Sequence, residues 1–371
     1  MEAATADSCL DSADPRTAGA LAVLHCYKGL NGRPVKASLM WKRGTGPLDV
    51  DQRDQADLER HRTVFAVALI IESQYYLTWS GLGAVTASHC EGFLHRFQVD
   101  GTHTAIYKRR REGYYTDGWP LNLLHITVPL AASPPHQFSF DQSLSDALLR
   151  LLDSGTDIAD NLERALPAFL QGNLLSTSTT LLDDMVWMGA AFERPFDVAK
   201  PIGQSLAEAV RDHFTGVTDN QTTWTPVNVQ GNPTTIESGP WRQRWTREFY
   251  RQRSAVHAGQ SAPGSWSTFA HCVIAAEVFS LAVLRLLADT GYRPLNDAEA
   301  VREDALDARI EAMASRPADV EAAWARPLAE AQQHRLTNQI TQSLANPPVT
   351  APEASGVGAD SFPDVEWEGS D

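Results

Sequence analysis

The sequence contains little cysteine and methionine and has fewer basic than acidic residues. Among 371 residues there are four cysteines and five methionines, and no two cysteines have the CxxC spacing. Scattered cysteines of this kind are typical of a reducing cytosol rather than of a disulfide-stapled secreted fold. The 31 basic residues face 46 acidic ones, a net charge of −15. This balance excludes nucleic-acid binding through bulk positive charge, although a local basic site stays open.

Targeting, membrane and common catalytic motifs are missing as well. The first basic residue is Arg16, which is not the pattern of a signal peptide. The most apolar long stretch, 272–288, is interrupted by Glu277 and Arg285, whereas a membrane helix needs about 20 mostly apolar residues. No GxSxG, HExxH or Walker-type loop occurs in the chain. The sequence therefore predicts a soluble, cytoplasmic protein and indicates no cofactor and no metal.

The residues that are present divide near a proline-containing segment, 131–137. Before it, the segments 63–79 and 121–130 are dense in Val, Ile, Phe and Tyr, which predicts strands. After it, six segments carry apolar residues at three- and four-residue steps and predict helices: 144–153, 158–175, 178–196, 201–214, 241–257 and 266–289. The predicted fold class is α+β. A strand-rich, mixed N-terminal domain over 1–135, with a possible sensor role, precedes an all-α bundle over 136–315.

The remaining segments of the C-terminal part are more polar. Residues 215–239 predict a polar loop, and the helix at 266–289 is apolar on most sides, which predicts the buried centre of a bundle. Charged, Ala-rich sequence from 295 to about 340 predicts solvated helix, and residues 316–345 are assigned to a solvated helix beyond the bundle. Residues 346–371 hold six acids, four prolines and no basic residue, which predicts a disordered acidic tail.

Residues 241–257 are the most basic segment of the chain. Five arginines face the single acid Glu248, a local charge of +4, and aromatic residues lie between them. The arginines are Arg242, Arg244, Arg247, Arg251 and Arg253, and the aromatic residues are Trp241, Trp245, Phe249 and Tyr250. Guanidinium groups bind phosphate through a rigid fork of donors, and aromatic rings stack on nucleobases. The combination favours a nucleic-acid site.

A proton-transfer group lies on the same helix. Arg253 and His257 are four residues apart and share a helical face, where histidine can move a proton and arginine can stabilise charge on a phosphate. The alternative is a basic helix whose arginines pair with neighbouring carboxylates and whose His-Ala-Gly sequence ends the helix.

The order of these motifs resembles the Apea-like HEPN proteins of bacteria, a group of the HEPN superfamily. The resemblance covers roughly residues 140–310. It rests on Tyr250, Arg253-Ser254, His257, Gly259, Trp266-Ser267 and His271, together with the upstream element Ala191-Phe192-Glu193. The family motif has four to six residues between its arginine and its histidine. Arg253 leaves three and Arg251 leaves five, so both arginines stay open as the family residue, and Ser254 fits the polar position that follows Arg253.

The resemblance implies a helical bundle that forms a homodimer, with the Arg and His motifs of two copies in one cleft. Active members are endoribonucleases that need no metal and often serve in phage defence or toxin systems. By this resemblance His257 is the general acid or base, Arg253 or Arg251 holds the phosphate charge, and Arg244, Arg247 and Tyr250 contact RNA, with tRNA as one possible substrate. The shortened spacing favours a rival: an inactive bundle that binds RNA or dimerises as an adaptor. A third interpretation gives the function to the N-terminal domain.

Weaker signals lie elsewhere. Glu277 in the apolar helix needs a partner, and His271 or the arginines of the preceding helix are expected in that role. Glu277 and His271 are therefore interpreted as supporting residues. His89, Cys90, His95 and His125 lack zinc-site spacing and are interpreted as structural. The run Lys108–Arg111 predicts a solvated hairpin tip, with a second phosphate contact as the alternative.

Overall fold

Helices make up most of the chain that the structure describes. The computed structural model describes residues 27–28, 52–73, 87–90, 94–97, 103–110, 113–120, 126–127, 140–174, 180–196, 202–214, 217, 220–227, 232–258 and 264–314. In chain order the elements of these ranges are β1 Tyr27–Lys28, α1 Gln52–Ser73, a 3₁₀ turn Ala87–Cys90, β2 Leu94–Phe97, β3 His103–Arg110, β4 Gly113–Pro120, β5 Ile126–Thr127, α2 Gln142–Leu152, α3 Asp157–Gln171, α4 Leu181–Glu193, α5 Ile202–His213, β6 Gln221–Trp224, β7 Glu237–Pro240, α6 Trp241–His257, α7 Thr268–Asp289, α8 Asp297–Asp304 and α9 Leu306–Ala314.

The six helices predicted between residues 144 and 289 are confirmed as α2 to α7. The first turns of four of these helices, α2, α3, α4 and α7, are capped by side chains that the local sequence supplies. Asp141, Thr156 and Ser267 accept hydrogen bonds from backbone N–H groups at the starts of α2, α3 and α7. Thr180 and Asp183 form a capping box at the start of α4. Apolar spacing and caps therefore agree along this part of the chain.

Helix α7 is the centre of the hydrophobic core, as predicted. Phe279 stacks on Phe169 of α3 with ring centroids 4.2 Å apart and meets Phe192 of α4 edge-on at 5.9 Å. Within the described residues, α7 is the one helix long and apolar enough to cross a membrane, but 78% of its apolar window is buried inside the protein. This burial fits the central helix of a soluble bundle.

The strand prediction for residues 63–79 is wrong where the structure describes them, because residues 63–73 belong to α1. Val64, Val67, Ile70 and Ile71 of this helix are buried and join the hydrophobic core of α2, α3 and α7. Their β-branched side chains favour strands, but strand propensity is weak when packing decides the conformation. The expected strand-rich N-terminal domain is not supported.

The strands that the structure describes before residue 130 form two small sheets. β2, β3 and β4 form an antiparallel sheet, and β1 pairs in parallel with β5. The β3–β4 hairpin pairs Arg110 with Gly113, so Lys108 to Arg110 of the basic run form the end of β3, and Arg111 lies outside the described residues. Of the segment 121–130, which was predicted as a strand, only Ile126–Thr127 is described, as β5.

Two further predictions need correction after residue 215. The polar loop contains the antiparallel pair β6 and β7, and β7 leads directly into α6. Residues 297–314 are helical but not solvated, because charged side chains of α8 and α9 are buried against partners: Glu299, Arg302, Glu303, Asp307 and Arg309. The predictions for 316–345 and for the tail 346–371 lie outside the described residues.

Candidate active site

The first turn of α6 is fixed to the bundle by a buried ion pair. Arg242 Nη1 lies 2.7 Å from Asp307 Oδ2 of α9, and both side chains are almost fully buried. The same guanidinium donates to the carbonyl oxygens of Arg211 and Phe214. One of the five α6 arginines is therefore structural.

The next two arginines are held near β6 and β7. Arg247 Nη2 lies 2.8 Å from a carboxylate oxygen of Glu237, with both side chains partly exposed. Arg244 lies over the rings of Trp241 and Trp266, at 4.7 and 5.5 Å, and donates to hydroxyl groups of the β6 strand and the α6–α7 connection. These two residues, predicted as RNA contacts, occupy the side of α6 near the hairpin.

Arg253 is positioned by α4. Its Nη2 lies 3.3 Å from Glu193 Oε1, and its guanidinium lies 5.4 Å from the ring centre of Tyr250. A Cβ at residue 189 would lie 2.9 Å from Arg253 Cγ, so the missing side chain of Gly189 makes room for the arginine. Arg253 is thus oriented by a carboxylate, an aromatic ring and a glycine surface, while part of its side chain stays exposed.

Tyr250 fills the space between α4, α5 and α6. Its hydroxyl donates a hydrogen bond to Glu193, and burial followed by the charge of Glu193 raises the pKa of the phenol. Its ring packs on Gly203, where a Cβ would lie 3.0 Å from Cδ1. The tyrosine therefore supports Arg253 through their shared carboxylate.

His257 lies in the last turn of α6 and is exposed. Arg253 precedes it by one helical turn and Ser254 by three residues, so all three face one side of the helix end. Arg251 lies elsewhere, near Glu248 and the buried His271. Burial raises the pKa of Glu248 and the charge of Arg251 opposes that rise, whereas burial and then the charge of Arg251 lower the pKa of His271. Arg253 and His257 thus share a face of α6, whereas Arg251 lies on a different side of the helix.

His271 lies in an aromatic box and not at the surface. The rings of Trp245, Phe249 and Trp266 lie 5.8–6.3 Å away, and both ring nitrogens are buried without a hydrogen-bond partner among the described residues. Glu248 Oε1 is 3.8 Å from Nε2. Burial, assisted by the charge of Arg251, lowers the pKa of His271 from 6.5 to about 3. This histidine is neutral and supports the packing of α6 on α7.

We expect His271 to make the fold sensitive to acid. Because its pKa is depressed in the folded state, the unfolded chain binds more protons below pH 6.5, and stability falls from there toward pH 3. Between pH 7.5 and pH 5 the loss is about 2 kcal/mol. Urea unfolding at several pH values checks this, with His271→Phe reducing the loss. Because Glu248 is present in wild type and in His271→Phe, it does not account for a difference between them. If the stability of the two proteins depends on pH equally, the assignment of the acid sensitivity to His271 is contradicted.

Glu277 is buried, but its partners differ from those expected. It pairs with Arg302 of α8 at 2.9 Å and with Arg309 of α9 at 2.5 Å, and not with His271 or the arginines of α6. Burial alone would raise the pKa of Glu277, but the two guanidinium groups hold it below its usual value. Glu277 therefore has a structural role, since it fixes α8 and α9 to the central helix.

The other sequence signals do not assemble into a site. Cys90 is buried, which raises the pKa of its thiol to about 11, and Arg62 donates to its carbonyl oxygen. Within the described ranges no three His, Cys, Asp or Glu residues are grouped to hold a metal. His125 lies outside those ranges.

Comparisons with known proteins add no identification. No family model, curated protein or solved structure matches this chain. The resemblance to the HEPN superfamily therefore stays a prediction carried by the order of its motifs. The supporting role of Gly189 was missed from the sequence, although a glycine inside a predicted helix is a signal of close packing.

Proposed function

We propose that this protein is a HEPN-type RNA endonuclease that works without a metal ion. One observation carries the proposal: Arg253, held by Glu193 and Tyr250, lies one helical turn from the exposed His257. A guanidinium can stabilise charge on a phosphate and an accessible imidazole can transfer a proton, and both are groups that phosphodiester transfer uses.

The reaction we assign is attack of the RNA 2′-hydroxyl on the adjacent phosphorus. The 2′-oxygen forms a bond to phosphorus while the bond to the 5′-oxygen breaks, which leaves a 2′,3′-cyclic phosphate and a 5′-hydroxyl. His257 takes the proton from the 2′-hydroxyl or supplies one to the leaving 5′-oxygen. Arg253 stabilises the charge that grows on the non-bridging oxygens. Ser254, Arg244, Arg247 and Tyr250 contribute to RNA binding around this pair.

A second copy of the chain would supply the other proton-transfer group. Tyr250 bonds to Glu193 and Arg253 contacts Gly189, so α4 and α6 run antiparallel and the end of α6 lies toward the start of α4. Leu182, two turns before Gly189 on that helix face, is 44% exposed, and the adjacent Leu181 is equally exposed. We assign these exposed apolar side chains at the start of α4 to the interface of a homodimer. The homodimer would serve phage defence or a toxin system in the cytoplasm of a bacterium.

One observation favours a second function, an RNA-binding or dimerisation adaptor. The Arg253 guanidinium already has a carboxylate partner in Glu193, which competes with phosphate. The exposed leucines at the start of α4 would then be the functional surface, and His257 would be an ordinary residue of a helix end.

Cleavage of total tRNA in EDTA separates the two functions. We expect fragments with 2′,3′-cyclic phosphate ends, and we expect the His257→Ala variant to lose them while it melts like wild type, because His257 is exposed. Arg164→Ala, an exposed arginine of α3, is the control and keeps cleavage. RNA binding without fragments supports the adaptor, and fragments that persist in His257→Ala contradict the proposed active site.

A further inference from the structure

A polar cavity lies between α5, β7 and the first half of α6. Its volume is about 290 Å³, and it is lined by Gln204, Glu208, Glu237, Ser238, Gln243 and Arg247. Small-ligand sites measure roughly 300–1,000 Å³, so this cavity is at the lower limit and fits one small group. All six lining side chains carry hydrogen-bonding atoms, which favours a polar group over an apolar one.

The charges of the lining disfavour phosphate. Two carboxylates, Glu208 and Glu237, outnumber the single guanidinium of Arg247, which Glu237 already holds at 2.8 Å. Gln204 Nε2 donates to Glu208 Oε1 at 2.9 Å, which fixes this side of the cavity. Carboxylate and amide oxygens accept hydrogen bonds from amino groups, and carboxamide and guanidinium groups donate to ring nitrogens and carbonyls. This mixture matches the edge of a nucleobase.

The cavity lies about two helical turns from the proposed active site along α6. Gln204 follows Gly203, on which Tyr250 packs, and Arg247 precedes Tyr250 by three residues. Tyr250 in turn precedes Arg253 by three residues. Six residues of helix span about 9 Å, so the cavity, the tyrosine ring and the phosphate ligand follow one another over a short distance. Sequence-specific recognition of single-stranded RNA uses hydrogen bonds to base edges close to the bound backbone, which this order of groups allows.

The carboxamide of Gln243 depends on a glycine of β7. A Cβ at Gly239 would overlap Gln243 Oε1, so the absent side chain lets this amide lie against the strand at the cavity wall. Gly239 is buried, and it is not one of the described glycines with a positive φ. Its backbone conformation is therefore compatible with alanine. Gly239→Ala would displace the amide without removing any lining residue.

We propose that this cavity is a nucleobase pocket that selects, beside the cleaved phosphate, a base with an exocyclic amino group. The two carboxylates accept from the amino group of adenine, cytosine or guanine, and uracil lacks that donor. The inference rests on the proposed function, because it assigns the pocket to the RNA that Arg253 and His257 would cleave. It assigns a sequence preference to the enzyme and names Gln243 and Glu208 as the residues that determine it.

Nucleotide binding tests the pocket without depending on cleavage. The full-length His257→Ala protein is titrated with AMP, CMP, GMP and UMP, and binding is followed by calorimetry. We expect at least one amino-bearing nucleotide to bind about tenfold more tightly than UMP. Gln243→Ala, Glu208→Gln and Gly239→Ala should each reduce that ratio toward one, whereas Gln171→Ala, an exposed glutamine of α3, should leave it unchanged.

The outcomes separate this inference from the proposed function. Equal affinity for all four nucleotides, no binding, or a ratio that survives all three cavity variants would overturn the pocket. Cleavage of tRNA by wild type would still stand in that case. Selective binding without any cleavage by wild type would support the pocket and contradict the nuclease. Thermal melts of the variants show that lost selectivity is not lost folding.

Discussion

Replacing Glu277 by glutamine is expected to destabilise the fold by about 3–5 kcal/mol. The carboxylate is 1% exposed and is the shared partner of Arg302 and Arg309, which are also buried. Without its charge, two guanidinium groups stay in the interior with no neutralising partner in this trio. Since domains are stable by only about 5–15 kcal/mol, the loss is a large part of the total. Urea unfolding followed by circular dichroism measures it.

Two comparisons make this prediction specific. Asp212→Asn breaks an ion pair with Arg211 in which the side chains are 40% and 65% exposed, and we expect a change below about 1 kcal/mol. A triple variant, with Glu277→Leu, Arg302→Met and Arg309→Met, removes all three charges together and should be more stable than Glu277→Gln. A glutamine variant as stable as wild type would mean that the trio does not hold α8 and α9 to α7.

The same trio shows what the sequence predicts well and what it cannot predict. Glu277 within an apolar helix indicates a buried carboxylate that needs a partner. Its partners follow 25 and 32 residues later, in a segment whose many charges indicate a solvated surface. A charged segment is solvent-exposed only where no buried group of opposite charge pairs with it. Whether such a group is present depends on tertiary packing. The segment's helices were predicted from the sequence, but their burial was not.

The error over α1 has a related cause. Val64, Val67 and Ile71 follow a helical spacing and are also the residues that favour strands. The choice depends on α2, α3 and α7, which cover this helix on several sides and which no local pattern reveals. By contrast, α2 to α7 were correctly predicted because their apolar spacing, and the caps seen at several of their first turns, agree within each segment.

The structure shows that much of the positive charge of α6 is paired with carboxylates. Three of its five arginines, Arg242, Arg247 and Arg253, pair with carboxylates of other elements, as the structural alternative expects. The net charge of +4 on the helix is therefore not a free basic surface. Such a surface is not required of a chain whose overall charge is negative. What distinguishes Arg253 is its position, beside an exposed histidine and on a glycine surface of α4. The sequence indicates the pair, whereas Gly189 and Glu193 become its partners only through packing.

We expect Arg253→Ala to lower RNA cleavage by about 10²–10³-fold, with little change in stability. The side chains of Arg253 and Glu193 are 17% and 28% exposed, and Glu193 keeps the Tyr250 hydroxyl as a donor, so the variant leaves a carboxylate that is partly exposed and still hydrogen-bonded. Arg253→Lys should recover only part of the rate, because an ammonium cannot bind two phosphate oxygens through a planar fork. Single-turnover cleavage of a labelled RNA gives the rate, and titration of the same RNA with His257→Ala gives the affinity.

Glu193→Gln distinguishes a catalytic arginine from a structural one. The amide keeps an acceptor for the Tyr250 hydroxyl but loses the charge that competes with phosphate for Arg253, so RNA should bind several-fold more tightly and cleavage should continue. A structural arginine would respond in the opposite way, with a lower melting temperature and no gain in affinity. If Arg253→Ala cleaves RNA like wild type while Arg251→Ala does not, the phosphate ligand is Arg251. The active site would then lie on the side of α6 that faces Glu248.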